Sequence, residues 1–181
     1  MSPAADAVVH TQLSTWQRRI QQTAAGLTTP QTGSPQTALA PLLQQIVSVY
    51  NLASGIMGEM RLSADSPLAT TAAGRDYLAQ LAAALAHTNR AATHLSTAVI
   101  GLADAHRLAP RPGTAAPAES QLDITLGHDA ALRSLKRALA AVTGRLTDTP
   151  PGQGAAPAST VIEQHRRAAD SGSTHPVRRR P

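Results

Sequence analysis

Apolar residues recur along this chain at alternating spacings of three and four, in four separate segments, and no segment alternates as a strand would. In the first segment Val9, Leu13, Trp16, Ile20 and Leu27 keep step, with Thr23 in the remaining slot, and Gly26 and Pro30 supply the stop. The second runs Leu39, Leu42, Ile46, Val49, Ala53, Ile56 and Met60 without a break, with Pro41 expected in its first turn. Leu43, Tyr50 and Met57 widen that face on one side, enough to touch two neighbours. The third segment opens at Ser66-Pro67, where a serine oxygen can accept a free backbone N–H and the proline presets the first helical residue. Its seam is Leu78, Leu81, Leu85, Thr88, Ala92, Leu95, Val99, Leu102 and His106. Unbroken to Arg107, such a helix would be about 60 Å long, and Gly74 is the expected point of interruption. Beside that seam Ala84, Ala91, Ala98 and Ala105 recur every seven residues, so a neighbouring helix should come close there.

The prolines and glycine between Leu108 and Pro117 read as a connection. In the fourth segment Leu132, Leu135, Leu139, Val142 and Leu146 are in step, whereas Leu122, Ile124 and Leu126 fall out of phase. Two readings follow: the helix begins between Asp123 and Gly127, or it begins near Pro117 and shifts phase at the glycine. The expected fold is all-α, an antiparallel four-helix bundle over residues 1–147, followed by a Pro/Gly linker and a flexible Arg-rich tail over 148–181. The seams serve either as the core of one chain or, in part, as an interface between subunits, and the breadth of the second helix raises a homodimer.

Composition changes this picture mainly by exclusion. The chain has 181 residues, 42% of them hydrophobic but only 2% aromatic, so its core must be built from small and medium aliphatic groups. It has no cysteine, which removes disulfides, zinc–thiolate sites, iron–sulfur clusters and thiol nucleophiles. No run of roughly 18–20 apolar residues suggests a transmembrane segment, and the N-terminus lacks a basic region leading into an apolar one. A cytoplasmic location is expected. The net charge of +5 is unevenly placed, with +2 on residues 1–150 and +3 on the remainder. Arginine outnumbers lysine fifteen to one, as GC-rich coding would produce, which weakens the basic balance as an argument for nucleic acid.

Few residues offer chemistry. A ferritin-like di-iron site needs several glutamates and Glu-x-x-His pairs, whereas this chain has Glu59, Glu119 and Glu163 and no such pair. His87 and His94 share a helical face that should be solvated. His106 and His128 both fall on seam positions near Asp104, Asp123 and Asp129, and are candidate metal ligands at one bundle end if the fourth helix starts late. The competing reading has His106 at the carbonyl end of its helix and His128 in a polar core layer. No phosphate-binding glycine motif is present, and the single lysine, Lys136, lies on a basic edge with Arg133 and Arg137. That edge, with Arg166, Arg167, Arg178, Arg179 and Arg180 of the tail, is the candidate for weak, salt-sensitive binding of nucleic acid, although no aromatic residue stands among them to stack on bases. No cofactor is expected.

Two stretches, Val49-Tyr-Asn-Leu-Ala-Ser-Gly-Ile-Met-Gly58 and Ser66-Pro-Leu-Ala-Thr-Thr-Ala-Ala-Gly-Arg-Asp-Tyr-Leu78, with Leu126-Gly-His-Asp129 further on, carry a resemblance over residues 12–147. They resemble an uncharacterised group of small Ala-rich helical proteins of high-GC actinobacteria, a domain of unknown function. The resemblance implies a bacterial cytoplasmic origin and brings no activity or site residues with it. The leading functional expectation is therefore a non-catalytic interaction or adaptor protein, with Ile46, Tyr50 and Met57 as its contact face. The alternatives are the basic tail on nucleic acid and, more remotely, the metal site.

Overall fold

The computed structural model describes residues 3–29, 35–108 and 118–144. They form four helices, α1 (Pro3–Ala25), α2 (Pro35–Ala64), α3 (Ala72–Leu108) and α4 (Ala118–Thr143), with a short 3-10 turn, Pro67–Thr70, between α2 and α3. The expected all-α bundle is the fold found. The tail and linker, 148–181, lie outside the described residues.

Contacts between residues distant in sequence fix the directions. Thr28 meets Gln45 while Trp16 and Arg19 meet Gly55, so α1 and α2 run oppositely. Gly127 abuts Ala98 while Asp123 abuts Gly101, so α3 and α4 do too. With α2 and α3 joined by a tight turn and tied by Tyr77 and Glu59, the course is up-down-up-down. Each helix packs on the next, α1 closes the ring against α4, and α1 also reaches across to α3. The sequence pattern had left this order open.

The seams line the interior. Val9, Leu13, Trp16, Ile20 and Leu27 are buried from α1 and its exit, and Leu42, Val49, Ala53 and Ile56 from α2. Leu81, Thr88, Ala92, Leu95 and Leu102 are buried from α3, with Ala84, Ala91 and Ala98 beside them. On α4 the buried line is Ile124, His128, Ala131, Leu135, Ala138 and Val142, one uninterrupted alternation of four and three. The helix therefore starts early, directly after Pro117, and no phase shift occurs at Gly127. Leu132 and Leu139 flank the true centre of the seam, and Leu122 and Leu126 are exposed.

Small residues bring α3 and α4 together. A Cβ placed on Gly127 would stand 2.9 Å from the His94 carbonyl oxygen and 3.1 Å from the Ala98 Cβ, so the backbones approach at the alanine flank, as its spacing predicts. The buried hydroxyls nearby stay satisfied within their own helices: Thr88 Oγ1 donates to the Ala84 carbonyl at 2.8 Å and Ser134 Oγ to the Ala130 carbonyl at 2.9 Å.

Two expectations about helix ends need correction. Pro41 stands in the second turn of α2 rather than the first, because the helix begins at Pro35. Its ring is on the exposed side, where water can serve the carbonyl that loses its N–H partner. Ser66-Pro67 caps only the 3-10 turn, whose Leu68 N–H donates to Ser66 Oγ at 3.2 Å. The break comes at Thr71, whose Oγ1 accepts the Gly74 N–H at 3.0 Å and so caps α3 three residues ahead of the glycine. Gly74 is needed for a different reason: a Cβ there would overlap the Leu68 carbonyl as the turn folds back over α3.

Candidate functional site

The outward side of α2 carries the largest ordered run of exposed apolar groups. Leu43, Val47, Tyr50 and Met57 are 46%, 56%, 51% and 58% exposed, with Ser54 in the open slot between the last two. Their spacings continue the three-and-four alternation, so they lie in one stripe along the helix axis, roughly 115° around the helix from the buried line through Leu42, Val49 and Ile56. Two apolar seams therefore run along one helix, and α1 and α3 cover only one of them. From Pro35 to Gly58 the helix contains no charged residue, and Glu59 and Arg61 are its only charges. Leu62, Ile100, Val8 and, four apart on α4, Leu122 and Leu126 are also exposed, without forming a run of this length along one helix.

Of the three residues expected on this face, Tyr50 and Met57 lie on it. Ile46 is half-buried and packs against the core, at the edge where the two seams meet. Val47 went unnoticed at the sequence level because the cleaner seam beside it accounted for the neighbouring apolar positions.

Behind the stripe, a polar cluster ties α1, α2 and α3. Tyr77 is fully buried, and its hydroxyl donates to Glu59 Oε1 at 3.1 Å, while Ser63 Oγ donates to the same oxygen at 3.3 Å. Burial pushes the Tyr77 phenol well above its ordinary range, and the Glu59 charge and hydrogen bond add to the rise; the Trp16 side chain acts weakly in the other direction. The Arg19 guanidinium lies 4.4 Å from the Trp16 ring centre, over its face. Gly55 lets that pair sit against α2, since a Cβ there would come within 3.1 Å of Arg19 and 3.2 Å of Trp16. A phenol held in its neutral form is a poor proton acceptor, so this arrangement works as a brace between helices. The 18-residue separation of Glu59 and Tyr77 hides the pair from any periodic reading.

No family model, curated protein or solved structure matches this chain. Its function has therefore to be argued from its own residues.

The register of α3 and α4 decides the histidine question. With Gly127 against Ala98 and Asp123 against Gly101, His128 is level with Leu95, about 16 Å along the bundle from the turn of α3 that holds His106. The candidate pair thus share no level of the fold; the His106 side chain itself lies outside the described residues. His128 is 2% exposed, and neither ring nitrogen has a hydrogen-bond partner. His87 and His94 are half-buried rather than solvated, and Nδ1 of His87 is buried without a partner. Among the described residues no group of three or more His, Asp or Glu could hold a metal ion.

Arg133, Lys136 and Arg137 are exposed on the outer side of α4. The tail arginines, Arg166, Arg167, Arg178, Arg179 and Arg180, lie outside the described residues. No helix of the described residues is long and apolar enough to cross a membrane.

Proposed function

We propose that this chain is a non-catalytic helical-bundle protein that works by docking through the outer face of α2. One observation carries the reading: an uncharged apolar stripe of regular helical spacing stands exposed on a helix that already fills the core with a second, separate seam. Exposed apolar groups in a continuous patch rimmed by polar ones mark contact surfaces, and a second seam of heptad type is the form that another helix recognises. The other polar features support a scaffold role. The Tyr77–Glu59 pair braces α2 against α3, and neither ring nitrogen of His128 has a hydrogen-bond partner.

The test is a native pull-down with the full chain, comparing the wild type with a Tyr50→Glu/Met57→Glu variant of unchanged helicity. Loss of a stoichiometric protein partner, self or other, in the variant is the expected result. An identical set of partners for both forms would remove α2 from the function.

A further inference from the structure

The stripe on α2 has an internal symmetry that selects its occupant. Counting outward from Tyr50, Leu43 lies seven residues before it and Met57 seven after, and Ile46 four before and Ser54 four after. Two copies of α2 laid antiparallel across a twofold axis at Tyr50 would set Leu43 of each against Met57 of the other. Ile46, at the edge of the face, would then stand level with the small Ser54 of the other copy, and Val47 one residue along would lean into the same space, a fit of bulk against a small side chain.

Charge argues for the same arrangement. The stripe has no charge between Leu43 and Met57, so nothing repels a second copy; beyond it Glu59 is engaged by Tyr77, and the first charge on the line of the stripe is Arg61. In a parallel pair Arg61 would meet itself. In the antiparallel pair the two arginines stand at opposite ends, each opposite Leu39 of the other copy and about 33 Å apart along the axis.

Resting on the docking face proposed above, we infer that its occupant is a second copy of this chain, paired antiparallel through α2 about Tyr50. The four exposed side chains, each about half uncovered, would bury roughly 400 Å² per copy, and with flanking groups the contact would total about 1,000 Å². That is the lower end for specific association, the size class of reversible rather than obligate contacts.

The absence of cysteine makes the test direct, since one introduced thiol has no competitor. Sedimentation equilibrium of the full chain between about 1 and about 300 μM should show the 18.7 kDa monomer passing to a species of twice that mass. Met57→Glu should weaken that association by about tenfold or more. Under mild oxidation Tyr50→Cys should cross-link to itself, whereas Leu43→Cys and Met57→Cys should each fail alone and cross-link when mixed. Self-linking of all three variants would mean a parallel pair and overturn the arrangement. A monomer throughout the concentration range, in protein of normal helicity, would overturn the second copy as occupant. A dimer unaffected by Met57→Glu would likewise overturn the pairing through α2, and in either case the pull-down above decides separately whether α2 serves a different protein.

Discussion

At the scale of single residues, three glycines in helices separate by what surrounds them. Gly58 has open space where a Cβ would go, so Gly58→Ala in dilute protein should raise stability by about 0.5–1 kcal/mol through helix propensity alone. At Gly74 a methyl group would strike the Leu68 carbonyl, with the Leu68 Cγ only 2.9 Å away, and Gly74→Ala should cost about 2–3 kcal/mol. Gly127→Ala falls between them, because the propensity gain offsets part of the clash with the His94 carbonyl. Urea melts of the three variants give the order, and equal effects would refute it. His128 presents the opposite case, a polar ring buried without a partner, and His128→Leu should stabilise the bundle by about 1–2 kcal/mol at neutral pH. A loss of stability would mean that the imidazole has a partner in solution.

Tyr77 gives the fold a pH dependence whose sign can be worked out. The folded state holds the proton more tightly than the unfolded chain, so the contribution is fully present below the ordinary phenol value of 10.0 and is lost progressively as the pH rises beyond it. Thermal melts between pH 8 and 12 should show Tyr77→Phe losing less stability than the wild type over the alkaline part of the range, measured from a lower starting point because Glu59 gives up a hydrogen bond. Parallel curves would assign the alkaline loss to other groups.

At the scale of elements, the α2–α3 junction shows how one cap signal was legible and the other was not. Ser66-Pro67 announces a helical start, and one begins there, but it lasts a single 3-10 turn before Thr71 opens α3. The deciding interaction is tertiary, the fold-back of Leu68 over Gly74, which no propensity contains. Each hydroxyl bridges two elements, Ser66 Oγ donating to the Ser63 carbonyl at 2.8 Å and accepting the Leu68 N–H, Thr71 Oγ1 donating to the Leu68 carbonyl at 2.7 Å and accepting the Gly74 N–H. Thr71→Ala should still cost more than Ser66→Ala, about 1–2 kcal/mol against about 0.5–1, because Thr71 caps a long α-helix and Ser66 a single 3-10 turn. Chemical denaturation of the two variants checks the ranking. On α4 a similar ambiguity arose from three apolar residues around Ile124, of which only Ile124 belongs to the core. Leucines at 122 and 126 were a misleading signal because an exposed leucine is common and a sequence does not show which apolar group lost the competition for the interior.

At the scale of the whole molecule, Trp16 sits where α1, α2 and α3 meet, buried and stacked under Arg19. If the described helices unfold as one unit, tryptophan fluorescence and helical circular dichroism should lose their native signals at the same denaturant concentration. An earlier fluorescence transition would show that α1 leaves a surviving α2–α3–α4 core. The number of helices, their inward faces, the alanine flank and the absence of thiol chemistry were all readable along the chain, because helical periodicity and composition are local properties. Tertiary structure alone decided the cyclic order of the helices, the register that parts His128 from His106, the Tyr77–Glu59 brace, and which of the two seams on α2 would be covered. Those outcomes depend on pairings between residues far apart in sequence. A heptad pattern states that a helix has an apolar face, and only packing determines what, if anything, lies against it.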